Sequence, residues 1–383
     1  MKKIILILLS AVTLSTAPLS AEFFNQRNII PGERAALLGG AYTALSEDVT
    51  GTYYNPAGIA FIDQFAVSTN ASLYSYRSMK RDDTEGFTFD TDSIDMSPTF
   101  FGFNLSMKPV NIAFSIYQTD NYVFADIDPV GNTVYKFEID AKSYLIGPSI
   151  AYKITDSLAV GVSAFYRHYA GNATLYLGPL VGFQETEMKY DGLVAGAGIK
   201  FNITDSIKMG ASYFSQSIDL HGTNNYTYLD GADQVTGEGS CKMRSPHKFS
   251  FGLAYDVKKK YTISVDGTYY MAMDYSQPHA MMDISAPDSR YKEDSHYDIS
   301  VGGEYFLNDI FSLRIGFFTN TSGAPVEKRS EELNLYGGSF GLGFYTGEVS
   351  SGIGFSGMYG SEDEFRQGTT QMSGGRYDKL YIS

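Results

Sequence analysis

The sequence predicts an all-β fold: a transmembrane antiparallel β-barrel of about fourteen strands, its lumen plugged by a short helical N-terminal segment. Three observations predict it. A secretory leader opens the chain. Period-two alternation of apolar and small polar residues runs from about residue 65 to the end. Short and long connections between these stretches alternate strictly, as they do when tight turns face the periplasm and long loops face outward.

The leader comes first. Met1-Lys2-Lys3 is basic, residues 4–14 are apolar, and Ala17-Pro18-Leu19-Ser20-Ala21 offers a small-residue cleavage site, so residues 1–21 read as a signal peptide. No Cys lies near the cleavage point to take a lipid. A membrane helix needs about 20 apolar residues, and no later run reaches that length.

Residues 22–62 do not alternate and are rich in Gly and Ala. Ser46-Glu47-Asp48 offers a helix N-cap with acids in the first turn, and Asn55-Pro56 offers a cap followed by Pro at the first helical position. The spacing predicts two or three short helices, with turns at Gly39-Gly40 and Gly51. A compact segment ahead of the first strand has room inside the lumen, as a plug, and leaves residues 63–383 for the barrel.

In the strands, Tyr261, Ile263, Val265 and Tyr269 share one face while Thr262, Ser264, Asp266 and Thr268 share the other. Tyr297, Ile299, Val301 and Tyr305 alternate with Asp298, Ser300, Gly302 and Glu304, and Phe311, Leu313, Ile315 and Phe317 alternate with Ser312, Arg314 and Gly316. The apolar face suits lipid. An Arg facing lipid at mid-bilayer costs about 2–4 kcal/mol, which sends Asp266, Glu304 and Arg314 to the lumen. Tyr122, Tyr152, Tyr169, Tyr261 and Tyr305 are candidates for the interfacial girdle. Short turns are expected at 108–111, 155–157, 204–206, 257–260, 308–309 and 346–348. Longer polar loops are expected near 80–96, 119–134, 170–184, 219–243, 274–292, 320–332 and 361–370.

Composition agrees. Of 383 residues only 19% are charged, below the roughly 25% of soluble domains. Tyr (30) and Phe (26) carry the aromatic share without any Trp. A net charge of −14 without a basic patch excludes a nucleic-acid partner, and one Cys excludes a disulfide framework.

The run Gly32-Glu33-Arg34-Ala35-Ala36-Leu37-Leu38-Gly39-Gly40-Ala41-Tyr42-Thr43-Ala44-Leu45, followed by Asp48 and Tyr53-Tyr54-Asn55-Pro56-Ala57-Gly58-Ile59-Ala60, resembles the hatch signature of the FadL/TodX family. These are outer-membrane transporters for long-chain fatty acids and other hydrophobic compounds. The resemblance implies a fourteen-stranded barrel in the cell outer membrane, plugged by an N-terminal hatch in which Gly39, Gly40, Asn55, Pro56, Ala57 and Gly58 carry the gating motif. It further implies capture in an outer groove, transfer to an internal pocket, hatch movement, and lateral exit into the bilayer. The expected partners are a fatty acid or other hydrophobic ligand, membrane lipid and the barrel-assembly machinery, with the chain itself a monomer. The signature also resembles the PorV-type branch, which shares barrel and hatch but serves protein secretion, and a general porin is a third alternative.

Within that frame Met281, Met282 and Ile284, in the loop 274–292, suit ligand capture because Met packs adaptably; the loop could equally fold on its own apolar residues. Arg314 could hold a ligand carboxylate, but acidic strand neighbours favour an internal salt bridge with Glu304, Asp266 or an acid of the plug. The five His are scattered outside any metal spacing, Gly-x-Ser-x-Gly is missing, and no phosphate loop is present, so the sequence predicts no enzyme, cofactor or metal site.

Overall fold

The computed structural model describes residues 24–72, 74–82, 88–93, 97–130, 133–176, 183–230, 233–277, 289–326, 332–347, 349–362 and 374–382. The leader and the expected capture residues Met281, Met282 and Ile284 lie outside the described residues. No described helix is long and apolar enough to cross a membrane; strands are a separate matter.

The N-terminal segment holds two short helices, α1 (Glu33–Leu37) and α2 (Gly51–Tyr54), and a 3-10 helix (Pro56–Phe61). Strands follow as β1 (Ala66–Ser72), β2 (Tyr74–Asp82), β3 (Thr88–Ser93), β4 (Ser97–Met107), β5 (Val110–Val130), β6 (Thr133–Lys153), β7 (Leu158–Tyr176), β8 (Phe183–Asn202), β9 (Ile207–Phe214), β10 (Ile218–Asp230), β11 (Asp233–Gly239), β12 (Lys248–Val257), β13 (Tyr261–Tyr270), β14 (Met273–Gln277), β15 (Ser289–Glu293), β16 (His296–Phe306), β17 (Phe311–Asn320), β18 (Leu335–Thr346), β19 (Val349–Glu362) and β20 (Gly374–Ile382). The chain is therefore all-β, with every ladder antiparallel. All but β14 and β15, which pair with each other, join one sheet. β20 pairs with β19 on one side and with β2 on the other.

Side chains alternate as the backbone pleat requires. In β13, Tyr261, Ile263, Val265 and Tyr269 are exposed, while Thr262, Ser264, Asp266 and Thr268 are buried. The same inversion holds along β12, β16, β17 and β18. The exposed face is apolar and the buried face is polar, the reverse of a water-soluble sheet. The apolar face has a sharp upper edge. Ile146, Tyr166, Leu193 and Ile218 form one cross-strand row on β6, β7, β8 and β10, and the next polar row is Tyr144, His168, Asp191 and His221.

Several expectations require correction. The segments 119–134, 170–184 and 219–243, expected as loops, are mostly strand, and the described parts of 274–292 pair with each other as β14 and β15. Hairpin ladders continue past the apolar belt because backbone pairing does not need an apolar face, so polarity there marks the end of the belt and not the end of the strand. Ser46 caps no helix. The next helix starts at Gly51, which is its first residue and not a connecting turn, and Asp48 Oδ1 accepts the Thr50 N–H at 2.9 Å. Tyr169 is buried on the polar face, so it does not belong to an exposed girdle, whereas Tyr152, Tyr261 and Tyr305 are exposed.

Substituting Val265, in the middle of the exposed apolar face, with Arg is expected to cost about 2–4 kcal/mol when folding is measured by denaturant titration in lipid vesicles. The same change at Lys189, above the polar row, is expected to be near neutral.

Candidate functional site

The polar face of the sheet is covered by the N-terminal segment. Four strand glycines make this close approach possible. A Cβ on Gly302 would come within 2.7 Å of the Leu38 carbonyl, one on Gly316 would collide with the Gly39 amide, and Gly341 and Gly354 leave the space that Leu37 occupies. Gly39 and Gly40 have φ of +63° and +78°, the left-handed region that favours glycine. A Cβ on Gly39 would meet the Phe317 backbone at 2.9 Å, and one on Gly40 the Arg27 guanidinium at 3.1 Å.

The segment's own turns and short helices leave several of its carbonyls without a backbone partner, and wall side chains bond to them. Asn111 Nδ2 donates to the Ile59 and Ile62 carbonyls at 2.6 and 2.7 Å. Ser163 Oγ donates to Thr52 O at 3.2 Å and Ser212 Oγ to Tyr54 O at 2.6 Å. Ser264 Oγ donates to Ala41 O, and Lys200 Nζ to Ala44 O. In the Asn-Pro-Ala-Gly element, Asn55 Oδ1 accepts the Ala57 N–H at 3.2 Å while its Nδ2 donates to Thr43 O and to Ile199 O of β8. Asn55 thereby caps the 3-10 helix, closes the segment on itself and ties it to the wall. Pro56 packs over Gly161, and a Cβ on Gly58 would strike the Ser46 carbonyl.

Two balanced charge clusters fix the segment near the short-turn ends of the strands. In the first, Glu304 Oε1 accepts Arg314 Nε at 2.8 Å, Tyr345 OH at 2.7 Å and Ser312 Oγ at 2.8 Å, and its Oε2 accepts Arg34 Nη2 at 2.8 Å. Arg314 also pairs with Glu33 of α1. In the second, Lys208 donates to Glu47 at 2.9 Å and to Asp256 at 2.7 Å, with Lys200 3.4 Å from Glu47. Burial pushes the Glu47 carboxyl up, but Lys200 and Lys208 outweigh it and hold Glu47 below its ordinary value. Glu33 lies above its ordinary value, because its burial outweighs the pull of Arg314 and Arg34.

Of the residues singled out in the sequence, Glu304 and Arg314 therefore stand together. Asp266 stands apart: its Oδ2 accepts the Tyr42 and Thr43 backbone N–H groups at 2.8 and 2.7 Å. It lines a narrow cleft with Arg27, Tyr53, Tyr54, Lys248 and Tyr270. Lys248 Nζ sits 4.3 Å from the Tyr53 ring centroid and 4.7 Å from that of Phe214, a cation–π sandwich. Neither Lys248 nor Arg27 forms a salt bridge among the described residues; Arg27 Nη1 donates to Ser300 Oγ at 2.6 Å. Sequence reasoning overlooked Lys200, Lys208 and Lys248. Strand parity places all three on the polar face, opposite Ile199, Phe201, Ile207 and Phe249.

The sequence matches the family of outer membrane protein transport proteins (OMPP1/FadL/TodX) over residues 11–378. In fold it is similar to the toluene transporter TodX of P. putida, with a TM-score of 0.68 and 16% identity over 94% of this chain and 97% of that one. It is likewise similar to the toluene transporter TbuX of Ralstonia pickettii (TM-score 0.64, 14% identity, 94% and 98% covered). A third similar structure is a FadL homologue from Pseudomonas aeruginosa (TM-score 0.64, 13% identity, 93% and 97% covered). No curated protein matches the sequence.

Removing Glu304 leaves Arg34 and Arg314 without their shared carboxylate. Glu304→Ala is expected to destabilise the folded protein by about 3–5 kcal/mol in denaturant titrations, and a loss under 1 kcal/mol would show that the cluster does not anchor the segment.

Proposed function

The chain belongs to the OMPP1/FadL/TodX family of outer-membrane transport proteins, and on that premise we propose that it takes up hydrophobic small molecules with an anionic head group, long-chain fatty acids foremost. The route is a barrel formed by residues 63–383 and plugged by a hatch of residues 22–62, after residues 1–21 are removed as a signal peptide. Counting β1–β2, β3–β4, β9–β10, β11–β12, β13–β14 and β15–β16 as single staves gives fourteen in all. The β20–β2 ladder, which brings the last stave to the first, supports closure. The barrel acts as a monomer inserted by the barrel-assembly machinery.

The observation that carries the choice of ligand is the cleft beside Asp266. Lys248 and Arg27 form no salt bridge among the described residues and are held among Tyr53, Tyr54 and Tyr270, with Asp298 and Asp266 acting on Arg27 from a greater distance. TodX and TbuX are toluene transporters; toluene carries no charge, whereas an amphiphile with a carboxylate uses both the cations and the rings. The charge clusters around Glu304 and Glu47 are neutral overall and close the far end of the hatch, which supports lateral exit into the bilayer over passage into the periplasm. Gating is by movement of the hatch, in which Gly39, Gly40, Asn55, Pro56, Ala57 and Gly58 hold the closed form.

Cells carrying the full chain are expected to accumulate radiolabelled oleate, and cells carrying a form without residues 22–62 are expected to lose that selectivity and pass a steady ionic current in planar bilayers. In purified protein, Lys248→Ala is expected to weaken laurate binding about tenfold, or about 1.4 kcal/mol, while leaving dodecanol binding unchanged. Equal losses for the two probes would refute a head-group role for Lys248.

A further inference from the structure

We propose that Asp266 is the positioning residue of the gate: it holds the Tyr42–Thr43 turn of the hatch against the wall, and an anionic head group entering the cleft loosens that hold. The inference rests on the transport reading above. Asp266 is 3% exposed, and its Oδ2 holds two backbone N–H groups. No salt bridge reaches it among the described residues; two peptide dipoles, the Thr43 side chain and the more distant charge of Arg27 balance the buried carboxylate. Its Oδ1 has no hydrogen-bond partner and lies beside Gly252, its cross-strand neighbour, where a Cβ would collide with it. Gly39 and Gly40, both at positive φ, lie just ahead of these amides, and the Tyr42 N–H also reaches the Gly40 carbonyl at 2.9 Å.

Among the anchors already described, Asp266 is the wall carboxylate that accepts from hatch backbone, whereas Glu304 accepts from the Arg34 side chain and Lys200 donates to the Ala44 carbonyl. Ser163, Ser212, Ser264 and Asn111 are neutral donors to hatch carbonyls, indifferent to a nearby charge. At Asp266 the wall accepts from the hatch through a charged group, and that group lines the cleft in which Arg27 and Lys248 would receive an anion. The titratable groups facing this space are Arg27, Lys248, Tyr53, Tyr54 and Tyr270. A second carboxylate in the same desolvated space raises the energy of ionised Asp266 by like-charge repulsion. Relief comes by moving apart or by taking up a proton from water, and either weakens the charge-assisted bonds to the two amides. The cations thus draw in the ligand whose charge releases the turn, while a neutral ligand lacks the trigger.

Hydrogen exchange on the full chain in bilayers tests both halves, with heat-modifiable electrophoretic mobility reporting assembly. Without ligand, Asp266→Ala is expected to speed exchange at the Tyr42 and Thr43 amides at least tenfold while the amides of residues 52–61 keep wild-type protection; unchanged exchange at Tyr42 and Thr43 overturns the anchor. Should that variant not assemble, Asp266→Asn, which keeps the volume and one acceptor oxygen, carries the same comparison with a smaller increase. With ligand, laurate is expected to speed exchange at these two amides in the wild type and dodecanol to leave it unchanged. In Asp266→Asn laurate should bind several-fold tighter and no longer alter exchange. Equal responses to laurate and dodecanol, or a wild-type response in Asp266→Asn, overturn the coupling. If neither probe binds the wild type, the transport reading fails, and the ligand-free comparison still decides whether Asp266 holds the turn.

Discussion

A buried peptide group must be hydrogen-bonded, and an irregular segment enclosed by a sheet cannot bond to itself throughout. Most of this architecture depends on that constraint. The 3-10 helix, α1 and α2 are too short to satisfy their own carbonyls and amides. Asn111, Ser163, Ser212, Ser264, Lys200 and Asp266 therefore reach from the strands to the segment's backbone. The inner face is polar because it must complete another part of the chain, not because it meets water. Where no hydrogen bond is needed, glycine takes over: Gly302, Gly316, Gly341 and Gly354 let α1 and the following turn rest on bare backbone.

Charge follows the same logic with higher stakes. Removing one partner from a buried ion pair costs several kcal/mol, so buried charges occur in closed sets. Glu33, Arg34, Glu304 and Arg314 cancel, as do Glu47, Lys200, Lys208 and Asp256. The cleft beside Asp266 is the exception, where Arg27 and Lys248 share the space with a carboxylate but form no salt bridge among the described residues. The charges closed into salt bridges and those of the cleft thus occupy different depths along the strands.

Much of this was legible in the sequence, and the reason lies in strand geometry. A period of two fixes the side to which Asp266, Glu304 and Arg314 point without any knowledge of partners. The same parity could have located Lys200, Lys208 and Lys248, but the reading followed acids and passed over them. Partners between the strands and the N-terminal segment were not legible: Glu33 meets Arg314 over a sequence separation of 281 residues, and nothing local encodes it. Asp266 was grouped with Arg314 because they share a face, yet hatch backbone, which has no sequence signature, is what binds it. The loop expectations failed at 119–134 and 219–243 because side-chain polarity reports the solvent beside a strand, whereas pairing depends on the backbone.

The unequal length of the strands has a consequence for the rim. β5 and β6 run for 21 residues each, whereas β13 and β17 run for 10. At about 3.3 Å per residue the difference is on the order of 35 Å along the strand. The main ladder therefore stands high along β5–β8 and β10, while beyond β13 and β16 the described chain continues in the separate β14–β15 ladder. Lys248 opens β12 opposite Tyr270, at the level where β13 gives way to β14. The rim is thus of two kinds around the molecule: on one flank it is the same ladder as the apolar belt, and on the other a two-stranded ladder that shares no pairing with it among the described residues.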